Sequence, residues 1–265
     1  MRLELLYEPA GLPALELPEE LARRYGGTLG FDGPRVVANF VQTVDGVVAI
    51  PALEQSNRLI SEGSEADRFV MALLRAAADA ILVGSGTLQA SPRSVWLAET
   101  AYPPLAEAFA ELRAGRPERP ALAVVTGSGR VDPAHPAFER GALVLTTDGG
   151  AQALRGRLPA ASEVVSLGGG PAVDVRRALE ELRARGHALV LVEAGPHVLG
   201  SLLAERLVDE LFLTISPVLA GRAEAATRLG LVEGIELLPG TRLGGRLLGV
   251  RRGGDHLLLR YALQG

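Results

Sequence analysis

Residues 189–206, LVLVEAGPHVLGSLLAER, decide how this chain is read. An apolar run ends in Glu193, Ala194-Gly195-Pro196 turns, and Val198, Leu199, Leu202 and Leu203 then recur on one helical face. That order is a buried parallel strand feeding a helix. Unpaired backbone N–H groups and the helix dipole at such an N-terminus favour a phosphate. Gly195 lets a ligand approach the backbone, and Pro196 suits the first helical turn. Glu193 ends an otherwise apolar strand and faces the same crevice. The stretch suggests a nucleotide cofactor site with a carboxylate beside it.

Outward from it, strands alternate with helices. Residues 36–42 form a strand, followed by a turn at Thr43-Val44-Asp45-Gly46. Ser64 caps a helix in which Ala66, Phe69, Val70, Leu73, Leu74 and Ala77 follow the i, i+3, i+4, i+7 pattern. A buried strand at 79–84 runs into a Gly-rich turn, Ser85-Gly86-Thr87. Residues 88–104, with Pro92, Pro103 and Pro104, read as a long loop, able to close over a site as a lid. Further strands fall at 121–126, 142–146 and 164–167, and further helices at 106–114 and 173–185. From Glu210 the texture changes to strands without long helices, at 211–215, 244–251 and 256–263, with a Gly253-Gly254 hairpin. The expected fold is α/β: a mixed, mostly parallel sheet flanked by helices, with an antiparallel tail.

Composition bounds the function. With 265 residues and 48% hydrophobic content the chain can form one large domain, read here as 35–265 with an N-terminal extension at 1–34 packed on it. A net charge of -4 without a basic stripe argues against nucleic acid as a partner. Cysteine is absent, which removes disulfides, thiolate metal sites and a Cys nucleophile. Four histidines without an H-x-x-x-H pair argue against a metal site. Residues 1–11 do not read as a signal peptide, and no apolar run approaches a membrane span. The expectation is a soluble, cytoplasmic protein with no membrane partner.

Three strand ends carry glycine turns: Gly84-Ser85-Gly86-Thr87, Gly168-Gly169-Gly170 and Gly195-Pro196. Ligands of open α/β sheets sit outside such carboxyl ends, so the turns together suggest a dinucleotide cradle. Taken singly, each is equally ordinary loop chemistry. The G-x-G-x-x-G fingerprint is missing, as is a P-loop, for which the chain has no lysine. Asp45 is either a proton-transfer group or an ordinary Asp-Gly turn. No G-x-S-x-G supports serine hydrolysis, and the single Trp96 reads more readily as packing than as a stacking platform.

In order, T-x-D-G (43–46), S-E-A-D-R (64–68), L-L-R-A-A-A-D-A-I-L-V-G-S-G-T (73–87), V-E-A-G-P (192–196), L-V-D-E-L (207–211) and I-S-P-V-L-A-G (215–221) resemble the pyrimidine reductase domain of riboflavin biosynthesis. The family has a dihydrofolate-reductase-like fold, and the resemblance runs from about Val36 to Leu263. The zinc deaminase half of its bifunctional members is absent here, which implies a stand-alone reductase. The resemblance implies NADPH as cofactor, a homodimer, and reduction of 5-amino-6-(5-phosphoribosylamino)uracil to its ribitylamino product. It assigns cofactor contacts to Thr43, Gly84, Gly86, Thr87, Ser91, Gly195, Pro196, His197, Val198 and Leu199. It places Glu193, Ser56 and Ser61 at the substrate, with Asp45 and Glu193 as the candidate catalytic carboxylates. Two departures stand out: Ser91 replaces an expected aspartate, and Arg58-Leu59-Ile60-Ser61 replaces a W-I-T segment. They keep two alternatives open, reduction of a pterin in the manner of dihydrofolate reductase and a non-catalytic NADP-binding relative. Arg58, Arg93 and Arg130 are equal candidates to read a cofactor 2′-phosphate.

Overall fold

A computed structural model describes residues 1–224 and 227–264. Its strands are β1 (Glu4–Tyr7), β2 (Arg35–Thr43), β3 (Ala80–Gly84), β4 (Ala121–Thr126), β5 (Ala142–Thr146), β6 (Glu163–Ser166), β7 (Leu189–Val192), β8 (Glu210–Ser216), β9 (Gly244–Gly253) and β10 (His256–Gln264). Its helices are α1 (Glu19–Tyr25), α2 (Ser56–Ile60), α3 (Glu65–Ala77), α4 (Ser85–Ala90), α5 (Ala98–Ala101), α6 (Ala106–Leu112), α7 (Pro136–Glu139), α8 (Asp148–Leu154), α9 (Val175–Ala184) and α10 (Pro196–Ala204). All the strands join one sheet in the order β1-β9-β10-β8-β2-β7-β3-β4-β5-β6. The pairings from β8 to β6 are parallel, and those of β10 with β8, β9 with β10 and β1 with β9 are antiparallel.

Two crossovers meet at the middle of this sheet. From β2 the chain passes through α3 to β3, leaving room for β7 between them; from β7 it returns through α10 to β8, on the far side of β2. Because the crossovers run in opposite directions, their helices lie on opposite faces. Accordingly Phe69, Leu73 and Ile81 belong to one apolar layer, and Leu82, Val192, Leu199 and Leu202 to the other. Strand order therefore reverses around β2 and β7, where open α/β sheets bind ligands.

The expected mixed sheet is present, with two local corrections. Residues 211–215 were grouped with the antiparallel tail, but β8 is the last strand of a parallel β7-α10-β8 unit and runs alongside β2 from Val37 to Thr43. Residues 88–104 are not a mobile loop. They carry the end of α4, α5 and a 3-10 turn at Pro103–Leu105, and Trp96, Ala98, Tyr102 and Leu105 are buried in the core against α3. A segment anchored by that much apolar area does not swing as a lid. Trp96 is packing, beside His135, at a positive φ of 50°. Residues 1–34, expected as an extension packed on the domain, contribute β1 to the sheet edge, and Glu8 pairs with the buried Arg251 at 2.6 Å.

Candidate functional site

Register sets the shape of the site. The last partner of β7 is Val192, opposite Ala38 of β2 and Leu82 of β3. β2 continues for five residues, Asn39 to Thr43, paired only with β8. At about 3.3 Å per residue that extension is roughly 16 Å long. β3 likewise continues through Val83 and Gly84, paired only with β4. A crevice opens between the two extensions, and residues 193–196 form its floor. Asn39 and Val41 are partly exposed although β2 is a central strand, and Val41 packs against the small apolar cluster of Val47, Ile50 and Ile60.

The helix end on this floor is well formed. Gly195 is the N-cap residue of α10, with no side-chain cap, and Pro196 is the first helical residue. A Cβ on Gly195 would meet only the Thr87 hydroxyl, at 3.8 Å, so the backbone there is open to a ligand. At Gly84 a Cβ would press on Val198 at 3.3 Å, and the β3 and β7 turns pack closely for that reason. His197 is exposed and Leu199 is core. Ser85-Gly86-Thr87 is the first turn of α4 rather than an irregular loop, and Ser91 is its C-cap, with its carbonyl held by His135 at 3.0 Å. The Gln55 amide donates to the carbonyl of Ala90 at 2.8 Å, which brings the segment preceding α2 to the end of α4.

The two carboxylates singled out from sequence already have partners. Glu193 receives a forked pair from Arg75 of α3, with N···O distances of 2.6, 3.0 and 3.1 Å, and both side chains are about nine-tenths buried. Asp45 accepts from the backbone N–H of Ala220 (3.1 Å) and Gly221 (2.8 Å) and from the Thr43 hydroxyl (2.5 Å). These bonds, the Thr43 hydroxyl foremost, hold its pKa down to about 2. Asp45 thereby fastens the turn after β2 to the loop after β8. Thr43 is fully buried and also accepts from the Val47 amide at 2.9 Å. Ser56 accepts from the Ile50 amide (3.1 Å), and the Ser61 hydroxyl donates to the Arg58 carbonyl (3.4 Å). Both serines are buried, and both hydroxyls are engaged within the protein. Arg58, Arg93 and Arg130 are exposed, and none has a charged partner among the described residues.

Asp45 also sets an acid limit. Its folded-state pKa lies below the unfolded value, so its contribution is full above pH 4 and fades as pH falls toward 2. In an acid titration followed by NMR, the amide signals of Ala220 and Gly221 are expected to move together in that window. In Asp45→Asn the same signals should not show this transition.

Arg75, through Glu193, and Asn39, by its register on β2, also belong to this region and were not singled out from sequence as site residues. Asp67 sits in the first turn of α3 on its buried side. Burial raises its pKa, opposed by the adjacent Thr214 hydroxyl and by the charges of His256 and Arg75.

A family model described as the RibD C-terminal domain matches residues 34–256. The chain belongs to the RibD C-terminal domain family. A curated relative from Archaeoglobus fulgidus, 2,5-diamino-6-ribosylamino-4(3H)-pyrimidinone 5′-phosphate reductase, is 27% identical over 207 residues, covering 73% of this chain and 85% of the relative. Among solved structures, a pyrimidine reductase-like protein from Corynebacterium diphtheriae superposes with a TM-score of 0.64 at 21% identity, over 88% of this chain and 92% of that one. RibD from Acinetobacter baumannii gives 0.63 at 19% identity, over 88% of this chain and 59% of its own longer one. The family implied by the sequence motifs is thus the right one, and this member of the RibD C-terminal domain family is an oxidoreductase of the riboflavin-pathway pyrimidine reductase type.

Proposed function

We propose that this protein is an NADPH-dependent reductase that converts a phosphoribosylaminopyrimidine, in its open imine form, to the ribitylamino product. The observation that supports it best is the crevice between the extended ends of β2 and β3, with an uncapped helix N-terminus on its floor. The open backbone at Gly195 fits a pyrophosphate, held by the N–H groups of His197 and Val198; the Leu199 N–H, expected to join them, already donates to the Gly195 carbonyl at 3.1 Å. Thr87, across from Gly195, together with Gly84, Gly86 and Ser91, lines the same cofactor channel. NADPH supplies the hydride when bound, and the protein supplies position, electrostatics and exclusion of water.

The roles of the two carboxylates follow from their bonds. Asp45 is ionised and fully engaged, so it organises the turn instead of donating a proton. Glu193, fixed by Arg75, shapes the floor where cofactor and substrate meet. Among the described residues no helix is long and apolar enough to cross a membrane. The second copy expected of a homodimer has a surface in edge strand β1, where Leu5, Leu6 and Tyr7 are exposed.

The test is direct. Purified protein with NADPH and the phosphoribosylaminopyrimidine should show substrate-dependent loss of nicotinamide absorbance, whereas dihydrofolate should give none. NADPH binding without turnover of either compound would favour the non-catalytic reading.

A further inference from the structure

His135, the N-cap residue of α7, is buried beside two aromatic rings, Trp96 and Phe138, at centroid distances of 5.9 and 6.3 Å. An apolar ring would suit those neighbours, and a polar one is costly there unless both nitrogens find partners. Both do. The Ala137 amide meets Nδ1 at 3.2 Å, and Nε2 meets the Ser91 carbonyl at 3.0 Å. A backbone N–H can only donate and a carbonyl can only accept, so the ring carries its proton on Nε2. The bond to Ala137 is a local helix cap. The bond to Ser91 reaches 44 residues back along the chain, to the C-cap of α4.

That contact heads a short line of main-chain bonds. The Ser91 carbonyl also accepts from the Ser94 amide at 3.0 Å, and the carbonyl before it, of Ala90, accepts from the Gln55 amide at 2.8 Å. Gln55 stands at φ 51°, a left-handed conformation that is strained for a residue with a side chain and persists only when its surroundings hold it. Residues 51–54, just before it, are exposed. α4 follows β3 directly and carries Thr87, the residue that faces Gly195, while the segment before α2 leaves from the end of β2. The junction of Ala90 with Gln55 therefore links the β3 side of the crevice to its β2 side.

We infer that His135 is a positioning residue for the cofactor channel: through the Ser91 carbonyl it fixes the end of α4, and with it the Thr87 wall and the Gln55 turn. The inference rests on the reductase reading above, with the dinucleotide between α4 and α10. His135 acts through α4 and not by contact with cofactor or substrate. It grips the main chain of Ser91, so the tie does not depend on the serine side chain. An α4 end free to shift would move the Thr87 hydroxyl relative to Gly195 and let the Gln55 turn relax. Cofactor binding would loosen while every group at the reacting centre stayed in the protein.

Two variants separate this tie from the helix cap. In His135→Asn the amide oxygen replaces Nδ1 as acceptor for the Ala137 N–H, but the shorter side chain leaves the Ser91 carbonyl without its donor. In His135→Gln the longer amide places its NH2 where Nε2 was and keeps the Ser91 bond. His135→Asn is expected to raise KM for NADPH about fivefold, the worth of one neutral hydrogen bond, with kcat little changed. In the unliganded protein it should also speed hydrogen exchange at the Gln55 amide. His135→Gln is expected to restore both, and thermal melts check that the two variants are folded. The parent offers a test that needs no substitution. The imidazole nitrogen NMR signals of His135 should show a protonated Nε2 and an unprotonated Nδ1, and the opposite tautomer overturns the assignment. Two variants that lose alike, or a His135→Asn that matches the parent in exchange and KM, overturn it while leaving the reductase intact. A parent that binds no NADPH overturns the reductase reading, and this role with it.

Discussion

Gly195→Val is expected to weaken NADPH binding by about a hundredfold or more while shifting the melting temperature little. Gly195 has φ −71° and ψ 167°, extended backbone open to any residue, so a side chain introduces no backbone strain. A Cβ there meets only the Thr87 hydroxyl at 3.8 Å, an ordinary contact, and the branched methyls project into the crevice. They would occupy the place where a pyrophosphate must approach the first turn of α10. Losing several charge-assisted bonds from backbone N–H groups, each worth roughly 1.5–3 kcal/mol, gives a loss of that size or greater. Fluorescence titration with NADPH measures it, and a melt of the unliganded variant separates it from unfolding. Unchanged affinity would move the cofactor away from α10.

The strand-turn-helix around Gly195 was legible because its signals are local: an apolar run, a Gly-Pro turn and a helical repeat, all within eighteen residues. Helix α3 was legible for the same reason. Direction of pairing is not local. Nothing within 210–216 says that β8 lies parallel to β2, because that follows from where α10 returns the chain. The prolines of 88–104 announced a loop, yet Trp96, Leu97 and Tyr102 are buried along the same segment. There the apolar residues, rather than the prolines, carried the information. Glu193 was recognised as out of place on an apolar strand, but its partner lies 118 residues earlier. Asp67 did leave a signal. It falls on the buried side of α3, three residues before Val70 and seven before Leu74, where a charge interrupts the apolar stripe.

Arg75→Met is expected to destabilise the fold by about 3 kcal/mol, because it strands the Glu193 carboxylate in a site about nine-tenths buried. For a chain of this size that corresponds to a fall in melting temperature of roughly 6–12 °C. The cost comes from the orphaned charge more than from the lost attraction, since desolvation offsets much of the benefit of a buried pair. The double variant Arg75→Met, Glu193→Leu should therefore recover a large part of the loss, which neither single variant can do. Activity should not recover with it. Arg75 aims Glu193 from the α3 face, and Glu193 donates its own backbone N–H to Leu82 at 3.0 Å, so the pair fixes both floor and wall of the crevice. A double variant with restored stability, intact NADPH affinity and depressed turnover would assign the pair to positioning the substrate end. Stability and turnover recovering together would instead make the pair structural cement alone.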